Sequence, residues 1–297
     1  MPDYFDPHII GRIKSLTVRS QRLVESFMAG MHKSRLRGIS TDFAQHRQYV
    51  PGDDPRHLDW KAYAKTDRFF IKEYEAETGM KVHFLLDASQ SMFFKSDEAG
   101  MSKYDYAATV LTSLAYMLMQ QQDTFGLVVF DNEVRSFLPP KGSGLHFRNM
   151  ARVISEAEGR MQTGISRALR NIAPQLKQRG LVVVVSDFID DTDDLGLSLG
   201  QMSFQGQDVI LFHVEDPVER EFPFVGQSIL NGLENEGKLL CDPRDLRNAY
   251  LAERDEHLET IRSACLRFGF QLEHMPTDAP MDEILSGFLA MRMQRNR

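Results

Sequence analysis

Apolar residues recur along this chain in two periods, and the switch between them maps its elements. Ile9, Ile13, Leu16, Leu23 and Phe27 fall three, four or seven apart, the spacing of an amphipathic helix. Gly30 and Gly38 loosen the next stretch. Residues 58–65 read as a short helix with Pro55 near its start, and 68–75 alternate as a strand. From Met80 onward strand and helix patterns take turns. Residues 80–86 are rich in Val, Leu and Phe, and 104–122 are apolar nearly all round, which predicts a buried helix. A strand at 125–130 turns at Asp131-Asn132 into 134–138, a hairpin at a sheet edge. A loop at 139–144 comes next, then helices at 145–156 and 165–178, the second interrupted by Pro174. A short β-branched strand occupies 181–186, a short helix 193–202 and another strand 208–214. Residues 217–241 suspend the alternation and read as a β excursion with polar turns. Asp242 caps a long helix with Pro243 in its first turn, and 270–275 and 281–291 supply a last strand and helix.

This order defines an α/β chain with a doubly wound, mainly parallel sheet and helices on both faces. A smaller helical and β lead segment, residues 1–79, precedes the sheet domain of residues 80–297.

The chemistry concentrates where strands end. Asp87-Ala-Ser89-Gln-Ser91 sends a carboxylate and two hydroxyls at alternate positions into the loop after the first domain strand. Hard divalent cations take oxygen ligands, and magnesium keeps several waters in a near-octahedral shell. One carboxylate and two neutral hydroxyls leave such an ion under-neutralised, free to accept a carboxylate from another molecule. Asp187 closes the buried strand that begins after Gly180, and Thr163 stands just before a helical stretch. Ligands of open parallel sheets gather outside the carboxyl ends of the strands, at a topological switch point. Asp87, Ser89, Ser91, Thr163 and Asp187 can all converge there. The plainer alternative is an Asp and hydroxyls that cap the next helix and satisfy loop amides.

Asp-x-Ser-x-Ser, a lone Thr and an Asp closing a buried strand resemble the metal-ion-dependent adhesion site of von Willebrand factor A domains. That resemblance implies that Ser89, Ser91 and Thr163 contact magnesium (manganese and calcium being alternatives), while Asp87 and Asp187 hold its waters and orient the hydroxyls. One departure stands out: the usual Asp-Gly reads Asp187-Phe188 here, which puts the shape of that loop in question. A second resemblance covers most of the chain. Asp42-Phe-Ala-Gln-His-Arg-Gln-Tyr49, Pro51-Gly-Asp-Asp54, Asp59-Trp60-Lys-Ala-Tyr63 and Phe70-Ile-Lys72-Glu-Tyr-Glu75 are similar to the signature of the bacterial family called domain of unknown function 58. Family members resemble an A domain fused behind such a segment. They are often encoded beside MoxR-type AAA ATPases, for which they are thought to act as partners or adaptors.

Composition narrows the function classes. A formal net charge of -7 argues against general affinity for nucleic acid or anionic lipid. The first forty residues run the other way, with Arg12, Lys14, Arg19, Arg22, Lys33, Arg35 and Arg37 against Asp3, Asp6 and Glu25, as a docking surface or a solvated helix face would. Two cysteines, Cys241 and Cys265, are too few for a disulfide framework. The N-terminus lacks the basic start and apolar core of a signal peptide, and no stretch approaches the roughly twenty apolar residues of a membrane span. The expectation is a cytoplasmic protein.

Other clusters invite plainer readings. Pro51-Gly-Asp-Asp54 with Arg56, His57 and Asp59 reads as a structural turn, since no nucleophile accompanies it. Trp60 and Tyr63 read as anchors of the interdomain contact more than as a ligand platform. Asp190-Asp-Thr-Asp-Asp194 suits the N-terminal end of a helix dipole, and Lys141-Gly-Ser-Gly144 lacks the spacing of a phosphate loop. Two functions stand as expectations. The first is a non-enzymatic interaction module whose magnesium accepts a partner Asp or Glu, the resemblance pointing to a MoxR-type ATPase. The alternative is a magnesium-dependent hydrolase or phosphoryl-transfer enzyme. Against the latter, Ser89 stands where aspartyl-phosphate enzymes carry a second carboxylate.

Overall fold

The structure is a computed structural model and describes residues 7–33, 46–48, 70–72, 80–159, 163–176, 178–189, 194–224, 228–231, 238–241 and 243–295. Its centre is a six-stranded sheet. In spatial order the strands are β5 (Val134–Lys141), β4 (Thr124–Phe130), β3 (Lys81–Asp87), β6 (Leu181–Ser186), β7 (Asp208–Glu215) and β10 (Gln271–Pro276). Neighbours run parallel throughout except β5, which lies antiparallel on β4. Two strand pairs lie outside this sheet: β1 (His46–Gln48) with β2 (Phe70–Lys72), and β8 (Ser228–Asn231) with β9 (Lys238–Cys241), both antiparallel.

The inner strands are buried on both sides, so they read as near-continuous apolar runs rather than alternating ones. Leu181 through Val185 are at most 5% exposed, and Val82, Phe84, Leu85 and Leu86 are fully buried. Successive side chains point to opposite faces. Leu85, Val128, Val182, Val184 and Leu211 share one core with helices α4 (Ile165–Ile172), α5 (Leu195–Phe204) and α7 (Pro243–Arg267). The other face is covered by α2 (Lys103–Gln120) and α3 (Gly144–Glu156), and α8 (Met281–Arg295) packs on α2. This is the doubly wound architecture that the alternation of patterns predicts.

Its connectivity determines where a site can form. From β3 the chain moves outward through β4 to β5. It then returns to β3's other side with β6 and moves away through β7 to β10. The switch point therefore lies between β3 and β6, and a crevice opens beyond their carboxyl ends.

Contacts divide the chain into two compact units: Met28–Met80, and Met1–Phe27 together with Lys81–Arg297. The first helix, α1 (Pro7–Lys33), thus contributes its N-terminal part to the sheet unit, where Leu16, Ser20 and Val24 are buried. These residues stand four apart, on one helical face.

Three elements differ from their sequence expectation. Residues 139–141 extend β5 instead of forming a loop, because an edge strand turns every second N–H to solvent and the ladder bulges at the two prolines. The ladder shifts register beside them, between Phe125 and Leu127. The helix expected to reach residue 178 ends at Ile172 and tightens into a 3-10 turn, Ala173–Gln175, at Pro174. Residues 217–221 form a short helix, α6 (Pro217–Glu221), where the pattern predicts the start of a β excursion. Asp216 accepts from Val218 N at 3.0 Å and Glu219 Oε2 accepts from Asp216 N at 3.0 Å, a reciprocal capping box. The expected helix at 58–65, the Pro51–Asp59 cluster, Trp60, Tyr63 and Asp190 to Asp193 lie outside the described residues. Among the described residues no helix is long and apolar enough to cross a membrane.

Candidate metal centre and its comparisons

Strand β3 delivers Asp87, fully buried, to the switch point. The next residues turn at once: Ser89 N donates to Asp87 Oδ1 at 2.8 Å, and Ala88 N donates to Phe130 O at 2.7 Å, tying the turn to the end of β4. Ser91 opens a single 3-10 turn, Ser91–Phe93. As a result Ser89 Oγ and Ser91 Oγ lie 3.2 Å apart, both fully buried. From the neighbouring strand, Ser186 Oγ donates to Asp87 Oδ2 at 2.5 Å. One residue on, Asp187 is 4% exposed and meets the Ser91 hydroxyl. Asp87, Ser89, Ser91 and Asp187 therefore come together.

Thr163, 6% exposed, stands in the loop before α4. Two glycines flanking it, Gly159 and Gly164, are closely approached. A Cβ on Gly159 would come within 2.6 Å of the Phe93 ring and 3.1 Å of Gln90 Cα, and one on Gly164 within 2.8 Å of Asn132 Cα. Only glycine permits these approaches. Gly159 thus lies against the Gln90–Phe93 turn and Gly164, next to Thr163, against Asn132 just beyond β4, the same carboxyl rim as the other four residues.

Phe188 resolves the departure from Asp-Gly. Its φ is 54°, the left-handed region where glycine is at ease and an L side chain costs about 1–2 kcal/mol. The conformation is held from three directions. The ring is fully buried in the core, Phe188 N donates to Ser186 Oγ at 2.9 Å, and Phe188 O accepts from His257 Nε2 at 2.8 Å. A left-handed turn after Asp187 is thus held by a phenylalanine, where glycine would adopt it at least cost.

Sequence reasoning missed Lys103. Its side chain is fully buried at the start of α2, and Nζ donates to Asp187 Oδ2 at 2.8 Å and to Glu219 Oε1 at 2.6 Å. Burial works against the ammonium, yet Asp187 and Glu219 together hold its pKa above the ordinary lysine value. For Asp187, burial pushes upward, but the Lys103 charge and bond, with the Ser91 hydroxyl and Ile189 N, bring it below the usual carboxylate range. Asp87 behaves oppositely. Burial first, then the neighbouring Asp187 charge, push it up to about 7. Its hydrogen-bond partners, Ser186 Oγ and Ser89 N, are neutral.

The donor set is all oxygen: two buried carboxylates and the hydroxyls that accompany them. This chemistry suits a hard cation such as magnesium, manganese or calcium. The residues fit the metal that the adhesion-site resemblance implies.

A second polar cluster lies at the next rim, across β7 and β10. His213, Glu215 and His274 bring ligating atoms within 4.8 Å of one another. Both Glu215 oxygens are engaged, however: Arg254 Nε donates to Oε1 at 2.5 Å, Arg254 Nη2 to Oε2 at 2.7 Å, and His274 Nε2 lies 2.8 Å from Oε2. A guanidinium already supplies the positive charge, so this is an ion network more than a metal cradle. Glu215 titrates at about 2 despite burial because these partners stabilise its anion, and burial lowers His213 to about 4. A cavity of about 450 Å³ opens beside both rims, lined by Asp187, Phe188, His213, Glu215, Tyr250 and Arg254 among others.

The strand order and the switch point at its centre define a doubly wound, mainly parallel α/β domain. Residues 45–260 match the model of the family described as protein of unknown function DUF58, and the chain belongs to that family. It is 23% identical over 298 residues to the protein Rv1480 of Mycobacterium tuberculosis, covering 98% of this chain and 92% of that one. It is 27% identical over 150 residues to YeaD of Bacillus subtilis, covering 50% of this chain and 35% of that one. Similar solved structures include BatB from Bacteroides thetaiotaomicron, at 14% identity and a TM-score of 0.47, covering 73% of this chain and 100% of that one. Another is an aerotolerance-related membrane protein from Bacteroides fragilis, at 17% identity and a TM-score of 0.49, covering 70% and 96%.

Proposed function

We propose that the chain is a non-enzymatic, metal-dependent protein-interaction module. Ser89, Ser91 and Thr163 would hold magnesium, Asp87 and Asp187 would orient the hydroxyls and waters, and a partner Asp or Glu would complete the shell. The observation that carries this reading is Asp87, a fully buried carboxylate with neutral hydrogen-bond partners beside a second carboxylate. Such a charge is costly to bury unless a cation meets it. The family resemblance points to a MoxR-type AAA ATPase as partner, which would place the action in the cytoplasm. The test is binding of the purified chain to a MoxR-type ATPase, measured by biolayer interferometry with magnesium and again with a chelator. Binding should vanish on chelation and in Asp87→Ala. Unchanged affinity under chelation would refute the mechanism.

The cavity favours one second reading, a magnesium-dependent hydrolase that bends substrate from the metal toward His213 and His257. Those groups are poorly placed for acid-base work, since His257 Nε2 is engaged by Phe188 O and His213 is 7% exposed. Turnover of a generic phosphoester, lost in Asp87→Asn, would reverse the ranking.

A further inference from the structure

Lys103 is a full positive charge inside the wall of the candidate metal centre. It is not a surface lysine that has folded inward by chance. Ser102 caps α2 by accepting from Asp105 N at 3.1 Å, and Lys103 N donates to Phe94 O at 3.2 Å, so the backbone fixes where the side chain starts. Its ammonium then ends on two carboxylates from different elements, Asp187 at 2.8 Å and Glu219 at 2.6 Å. Glu219 is equally fixed, because its other oxygen closes the capping box of α6 through Asp216 N. Asp216 in turn accepts from Ser96 N at 3.0 Å, which ties α6 to the segment between the Ser91 turn and α2. The two charges are therefore preorganised by the helix ends of α2 and α6.

We infer that Lys103 is the internal counter-charge that sets how tightly the Asp87–Asp187 site holds its cation, and that Glu219 sets how much of that charge falls on Asp187. The inference rests on the metal reading above and concerns its regulation. Like charges a few ångströms apart in a buried site are weakly screened, so an ammonium on Asp187 opposes a divalent ion at the same carboxylate. Glu219 draws the ammonium's charge away from Asp187 and has the opposite effect. A cation held loosely by the chain alone is held well only when a partner carboxylate supplies the missing negative charge. Metal and partner then bind as a linked pair, each raising the affinity for the other.

The experiment is calorimetric titration of the full chain with magnesium alone, comparing wild type, Lys103→Met, Glu219→Gln and the double variant. Lys103→Met should bind magnesium tighter by roughly tenfold or more, and Glu219→Gln weaker by roughly tenfold. The double variant should fall between them. A purely structural ion pair would not produce opposite signs. Glu219→Gln keeps side-chain size and an acceptor for Asp216 N, so it tests the sign even if Lys103→Met does not fold. Equal dissociation constants in wild type and variants would overturn the role of Lys103 while leaving the metal reading intact. Weaker binding in Lys103→Met, or tighter binding in Glu219→Gln, would also overturn it. Absence of magnesium binding in every form would remove both.

Discussion

Two neighbouring rims of one sheet bury carboxylates in contrasting ways. At β7 and β10, Glu215 is closed off by Arg254 and His274, and its anion is favoured down to about pH 2. At β3 and β6, Lys103 answers Asp187, while Asp87 meets neutral hydroxyl and amide donors and is pushed up to about 7. The depth of burial is similar, at 3% exposure for Glu215 and none for Asp87. Burial alone thus does not decide what a buried acid does. A carboxylate whose charge is matched within the fold contributes stability, whereas one left unmatched carries a cost that an incoming cation removes.

The contrast has measurable consequences. Glu215→Gln should cost on the order of 3 kcal/mol at neutral pH, read from urea unfolding, since each tenfold preference for the anion in the folded chain is worth about 1.4 kcal/mol. The folded pKa lies below the unfolded one, so this contribution is present above about 4.5 and disappears as pH falls toward about 2. The difference between wild type and variant should shrink over that window. A difference that does not change with pH would show that the charge is not the cause.

Asp87→Asn should do the reverse. In chelator at pH 8 it should stabilise the chain by about 2 kcal/mol, because an amide keeps the geometry without a buried charge. The same substitution should abolish the stabilisation that magnesium gives the wild type. A destabilised Asp87→Asn in chelator would erase the distinction between the two rims. The smallest effect belongs to His274, whose side chain is 44% exposed. Its replacement by Asn should cost about 1 kcal/mol, the worth of one partly exposed bond, because Arg254 still holds both Glu215 oxygens. A loss as large as that of Glu215→Gln would mean that the histidine, and not the guanidinium, closes the network.

Much of the architecture was legible because burial on both faces leaves long apolar runs. Leu181 to Val185 and the strand before Asp87 announce central strands, and their terminal acids mark the switch point. The four rim residues on these two strand ends were visible for the same reason. What escaped was chemistry disguised as ordinary helix or strand grammar. Lys103 follows a capping serine at the first position of a helix, where lysines are ordinarily solvated, so nothing local marks it as buried. Ser186 looks like the polar end of a strand, although it bridges Asp87 to the Phe188 backbone. His213 and Glu215 alternate with Phe212 and Val214, a pattern compatible with a solvent-facing side until β10 and α7 are known to cover it. Asp216-Pro-Val-Glu219 carries the spacing of a capping box, but nearby Phe-Pro-Phe suggests extended chain. Pro139 and Pro140 hid an edge strand, because proline argues against sheet unless the strand's position in it is known.

At Phe188 the chain gives up a hinge. A flexible joint beside Asp187 would let the acid swing. The aromatic ring instead bolts that turn into the oily interior, accepting an awkward backbone to do so. The acid at this edge of the molecule is thereby locked in one orientation.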